Sequence, residues 1–138
     1  MYNTRVRRNA QIIGGYMVEF QGKTAILVMP TNSMIQHFKE LLEPMGIKII
    51  GTGCSQFEWQ ELLGKKEVPS YIIIAYNMGA MAGDGLWLAE YHVRHLRPEK
   101  IFIVQTPPLE RWSGIPLSYI TISAEVSAEE FKKLLMKK

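Results

Sequence analysis

Residues Gly79 to Gly85 read Gly-Ala-Met-Ala-Gly-Asp-Gly and follow the apolar run Tyr71 to Tyr76 after Asn77-Met78. Glycines of this kind let backbone N–H groups approach a ligand, and a helix opening after them can cradle an anion. Thr31, Asn32, Ser33, Gly51-Thr52-Gly53, Asn77 and Gln105-Thr106 share this neutral character, rich in hydroxyl and amide groups. Each falls where an apolar run ends, and open α/β sheets bind ligands at that edge. The candidate ligand-binding residues are therefore Thr31, Asn32, Asn77, Gly79, Gly83, Asp84 and Thr106, with a nucleotide or another phosphorylated metabolite as the ligand. A plainer reading makes the Asn, Ser and Thr residues helix caps and the glycines turns. The glycine spacing is neither a Walker motif nor GxGxxG, and no lysine follows it.

Other reactive side chains offer less. His92 and His95 have helical metal-ligand spacing, but no second cluster of Cys, His or carboxylates completes a site. With Arg94, Arg97 and Lys100 they read better as a solvated basic face at a helix end; His37 also reads as solvated. Cys54 lies near a helix start, which can lower a thiol pKa, but no adjacent His or Asp activates it. Asp84 reads as a helix cap rather than a catalytic carboxylate. No catalytic residue, cofactor or metal is expected. Trp112, beside Arg111 in Pro-Leu-Glu-Arg-Trp-Ser-Gly, is a candidate partner contact, whereas Trp59 and Trp87 are expected in the core.

The elements that must position these groups alternate between apolar runs and helical patterns, which indicates an α/β domain with a largely parallel sheet. Strands are expected at Ala25–Met29, Ile47–Ile50, Tyr71–Tyr76, Ile101–Val104 and Tyr119–Ile122. Pro30-Thr31-Asn32-Ser33 starts a helix carrying Met34, Ile35, Phe38, Leu41 and Leu42, which ends at Pro44 and Gly46. Ser55-Gln56-Phe57-Glu58 and Ser127-Ala128-Glu129-Glu130 are capping boxes for two further helices. The first of these carries Phe57, Trp59, Leu62 and Leu63. A helix from about Gly85 to Leu96, closed by Pro98, completes the set. Residues 1–23 do not fit this rhythm. They form either a hairpin strand that would put the strand from Ala25 at an edge, or an arm packed elsewhere, such as on a second subunit.

The chain has 138 residues, 47% of them hydrophobic and 21% charged, which suits one domain at residues 24–138 preceded by an arm or added strand at residues 1–23. A net charge of +3 permits weak attraction to anionic partners without demanding nucleic acid. Arg5, Arg7 and Arg8 could join the basic residues near His92 in one patch. No recognition motif accompanies them, so only weak, sequence-independent nucleic-acid binding is expected. The single cysteine and the lack of a membrane-length apolar run point to a soluble cytoplasmic protein.

The stretches Met45 to Leu63, Pro69 to Leu86 and Ser127 to Leu135 resemble receiver domains of the response-regulator family. In that family a strand of the type LVILDINMPGMDGL delivers an Asp for phosphorylation. Tyr71 to Leu86 matches it through Asn77-Met78 and Asp84-Gly85-Leu86, with two extra residues at Ala82-Gly83. The resemblance runs from Thr24 to Lys138 and implies a flavodoxin-like fold, a mostly parallel five-stranded sheet flanked by helices. It also implies missing chemistry. Ala75 stands at the acceptor Asp, Pro30 and Thr31 at the acidic pair for Mg²⁺, Gln105 and Thr106 at the Ser or Thr, and Ile122 and Ser123 at the Lys. The segment Pro107 to Ser118 is short and Pro-rich for that family's fourth helix. The expectation is a degenerate, non-enzymatic receiver acting through protein contacts, as a homodimer using the arm and Pro107 to Ser118. The small-ligand protein or enzyme is the alternative.

Overall fold

The computed structural model describes residues 11–13, 16–18, 20–55, 58, 68–78, 83–90, 96–105 and 119–137. Helix α1 (Asn32–Leu42) follows strand β3 (Thr24–Val28), and strand β4 (Lys48–Gly53) comes next. Strand β5 (Tyr71–Ala75), helix α2 (Asp84–Leu88), strands β6 (Lys100–Gln105) and β7 (Ile120–Ser123), and helix α3 (Ala128–Met136) complete the domain. The strands pair in parallel in the order β4-β3-β5-β6-β7, the flavodoxin-like sheet expected from the sequence. Strands β1 (Gln11–Ile13) and β2 (Tyr16–Val18) form a separate antiparallel pair. Strand β3 therefore lies inside the sheet between β4 and β5, and among the described residues the β1–β2 pair is not joined to it.

Local signals explain the elements. Thr31, in extended backbone, caps α1 by accepting the Met34 N–H at 3.2 Å. Pro44 sits in a tight turn of 3₁₀-helix, and Gly46 leaves it at φ +95, a left-handed value that suits glycine. Ser127 and Glu130 close their box, with Glu130 N–H donating to Ser127 Oγ and that hydroxyl donating to Glu130 Oε1, both at 3.2 Å. Reciprocal 3.1 Å bonds between the backbone N–H of one residue and the hydroxyl of the other tie Thr24 to Ser70, fixing the starts of β3 and β5.

Strand β5 is buried at every position, as a central parallel strand should be. Phe131 of α3 packs on Phe102 with ring centroids 4.9 Å apart and meets Phe38 of α1 edge-on at 6.1 Å, so α1 and α3 share one face. Pairing between β3 and β4 shifts at Ile50, an extra residue between the pairs Ala25–Ile49 and Ile26–Gly51.

Several expectations change. Strand β4 runs on through Gly51, Thr52 and Gly53, past the expected end at Ile50. Lys100 is not part of a solvated basic face: its ammonium donates to the carbonyls of Leu134 at 3.2 Å, Leu135 at 2.6 Å and Lys137, closing the end of α3. Trp87, expected in the core, is 44% exposed. Of the helix expected from about Gly85 to Leu96, Asp84–Leu88 is described as α-helix and its turns continue at residues 89–90. The arginines at 5, 7 and 8, the residues Phe57, Trp59, Leu62 and Leu63, and those at 91–95 lie outside the described residues.

Helix α2 meets the sheet at Gly85, whose N–H donates to the Tyr76 carbonyl at 2.9 Å. A Cβ there would lie 1.6 Å from the Ala75 carbonyl oxygen, so only glycine fits. Gly85→Ala is expected to cost more than ~3 kcal/mol, because the backbone of α2 must lift off β5. Gly22→Ala, at φ +91 with open space around it, should cost only ~1 kcal/mol. Urea midpoints for both variants test this; equal losses would refute the close approach.

Candidate functional site

The sheet order reverses direction between β3 and β5, and the carboxyl ends of these strands enclose a cavity of about 50 Å³. Its described lining is Pro30, Met34, Ala75, Tyr76, Asn77, Val104 and Gln105. Pro30 and Met34 follow β3, Ala75 ends β5, and Val104 and Gln105 end β6, so three neighbouring elements form the walls. Ala75 pairs with Val104 across the sheet and is 3% exposed. Gln105 is 6% exposed, one of the few buried polar side chains described. No charged side chain lines the cavity among the described residues.

The expected ligand-binding residues divide by place. Asn77 lines the cavity, and its side-chain oxygen accepts the Gly83 N–H at 2.8 Å. Gly83 stands before α2 at φ +78, a position that favours glycine, with Tyr76 packed against it. Asp84 is the residue after the Gly83 cap of α2 and is not among the described residues that line the cavity. It is 1% exposed within the helix's first turn, and its Oδ1 accepts the Met78 N–H at 2.5 Å. The side-chain oxygens of Asn77, which is exposed, and of buried Asp84 thus hold the two ends of the glycine loop. Thr31 and Asn32 are exposed, Thr31 serving as the α1 cap. Gly79, Thr106, Arg111 and Trp112 lie outside the described residues. Sequence reasoning passed over Pro30, Met34, Tyr76 and Val104 as cavity walls. The available signal was their position at or just past the strand ends.

Cys54 sits beyond β4, where its Sγ donates to Asn32 Oδ1 at 3.4 Å. Glu58 accepts from the Cys54 N–H at 3.2 Å and from the Ser55 hydroxyl at 3.3 Å. Burial, and then the Glu58 carboxylate, push the thiol pKa up, opposite to the lowering a helix start could give. Among the described residues no group of three His, Cys, Asp or Glu could hold a metal ion. The residues at 92 and 95 lie outside them. No described helix is long and apolar enough to cross a membrane.

No protein-family model matches the chain, and no curated protein matches it. Its structural neighbours are CheY-like response regulator receiver domains. One, from Methylobacillus flagellatus, shares 19% identity over 82% of this chain and 95% of its own, with a TM-score of 0.65. The receiver domain of the PhyR response regulator of Erythrobacter litoralis shares 12% identity over 83% and 88%, at 0.69. A receiver domain protein from Methanospirillum hungatei JF-1 shares 16% over 81% and 90%, at 0.63. At such identities the likeness is one of fold.

Two outcomes follow from this geometry. Asp84→Ala should cost about 2–3 kcal/mol, since the buried Met78 N–H loses its acceptor; Asp84→Asn, which keeps a carbonyl, should cost less. Chemical denaturation measures both, and equal effects would contradict the clamp. Alkylation of Cys54 should be slow at neutral pH and rise only above the ordinary thiol range. Glu58→Gln should speed it by removing the negative charge, as labelling rates across pH would show.

Proposed function

We propose that the protein is a non-enzymatic regulatory module, a receiver-like domain without the phosphorylation chemistry, that works through protein contacts. Ala75 carries this reading. It ends the central strand at the carboxyl edge, where the resemblance puts the acceptor carboxylate. A methyl group has no oxygen to receive a phosphoryl group or to ligate Mg²⁺. Pro30, which lines the same cavity, and Thr31 after it supply no carboxylate either.

The nucleotide alternative is less well supported. A cavity of about 50 Å³ has room for a few waters, and its described lining has no cation to meet a phosphate. The separate β1–β2 hairpin supports the arm as a self-association element, so the homodimer remains part of the proposal.

Incubation with a small phosphodonor and Mg²⁺, followed by intact mass, should leave the mass unchanged. A phosphoryl group on an Asp or Glu would sink the reading. Ala75→Asp should not restore acceptance, because the Mg²⁺ ligands are missing. Its buried carboxylate should have a folded pKa above the unfolded ~3.9. The destabilisation is then absent at pH below that unfolded value and grows as pH rises through the folded pKa. Melting temperatures at pH 5 and pH 8 should diverge accordingly.

A further inference from the structure

The geometry points to the cavity at the carboxyl edge as a seat for one unbranched or γ-branched apolar side chain, of methionine or leucine type, from a protein partner. This rests on the interaction-module reading and names what that site takes. Its walls are mainly apolar, with Pro30, Met34, Ala75 and Val104 supplying hydrocarbon and thioether surface. Tyr76, Asn77 and Gln105 supply the polar atoms. The absence of charge in the described lining disfavours carboxylate, phosphate and ammonium guests alike, since each would lose hydration with no opposite charge in return.

Size narrows the guest further. A volume of about 50 Å³ corresponds to roughly three or four waters, or the last three or four heavy atoms of a Leu or Met side chain. Water against apolar walls is weakly held, and its displacement by an apolar group favours binding. Met34 is half-buried and unbranched, so it can adjust to an entering group. Asn77 spends its side-chain oxygen on Gly83, which leaves its NH₂ group to donate to the backbone of an incoming peptide. Ala75 is central to this. Only a small residue at the end of β5 leaves the space open.

The test uses the whole chain with ¹³C-labelled methyl groups and follows Met34, Ala75 and Val104 by NMR. N-acetyl-methioninamide and N-acetyl-leucinamide should shift these methyls saturably, with dissociation constants in the millimolar range, on the order of 1–10 mM. N-acetyl-glycinamide, N-acetyl-aspartamide and inorganic phosphate should bind at least about tenfold more weakly. Ala75→Val adds two methyl groups to the same space and should weaken the methionine probe about tenfold or more, with a melting temperature unchanged or raised. Should that variant not fold, Met34→Ala is the second arm: it enlarges the seat and should shift preference toward N-acetyl-phenylalaninamide. No saturable shift with either apolar amide up to about 50 mM would overturn the proposal, as would equal shifts from the glycine amide or phosphate. This result and the phosphodonor result fail separately. A phosphorylated protein that still binds the methionine probe would lose the module reading and keep the seat.

Discussion

The domain depends on one contact between backbones, where Gly85 meets the carbonyls of Ala75 and Tyr76. In most helix–sheet packing, side chains keep the two backbones apart. Here the first turn of α2 rests directly on the end of β5, and its N–H replaces the hydrogen bond that a longer strand would have made. That contact fixes where the loop from Asn77 must return. The Asn77–Gly83 and Asp84–Met78 bonds then hold both ends of that loop. The cavity lies beside this junction because the strand stops there, and its size follows from the small residue on which the strand ends.

The sequence was most legible where a signal is local. The apolar run Tyr71–Ala75, the Thr31 cap and the Ser127–Glu130 box each depend on residues within a turn or a strand of one another, and each was found in place. The parallel sheet followed from the alternation of strands and helices, and its flavodoxin-like arrangement from the resemblance to receiver domains. It was less legible where a side chain's role depends on distant chain. Asp84 reads as a cap from its neighbours, yet burial against β5 turned it into a brace for Met78. Lys100 reads as one more basic residue near a helix end, while its partners are 34 or more positions away. Trp87 reads as core by its type, but its side chain on α2 is 44% exposed. The candidate site was half legible. The cavity lies at the carboxyl edge to which the polar residues pointed, but its walls are partly apolar residues that no polar motif would pick out.

The described ion pair, Lys23–Glu99 at 2.9 Å, is exposed and contributes little. More important is how buried polar groups are met: hydroxyls cross-tie the starts of β3 and β5, and a carboxylate takes a buried N–H. Such bonds select one register and one loop path over their near alternatives, which apolar burial alone does not do.

Strand β4 has one described neighbour, β3, and so would offer its other side as a template for foreign chain. The extra residue at Ile50 interrupts that template. An intruding segment could match the ladder for only two or three residues before the kink threw its bonds out of step, and Lys48 adds a charge at the strand's start. What looks like an irregularity of pairing therefore acts against fibrillar stacking, and straightening it by deletion would trade a more regular sheet for a more adhesive one.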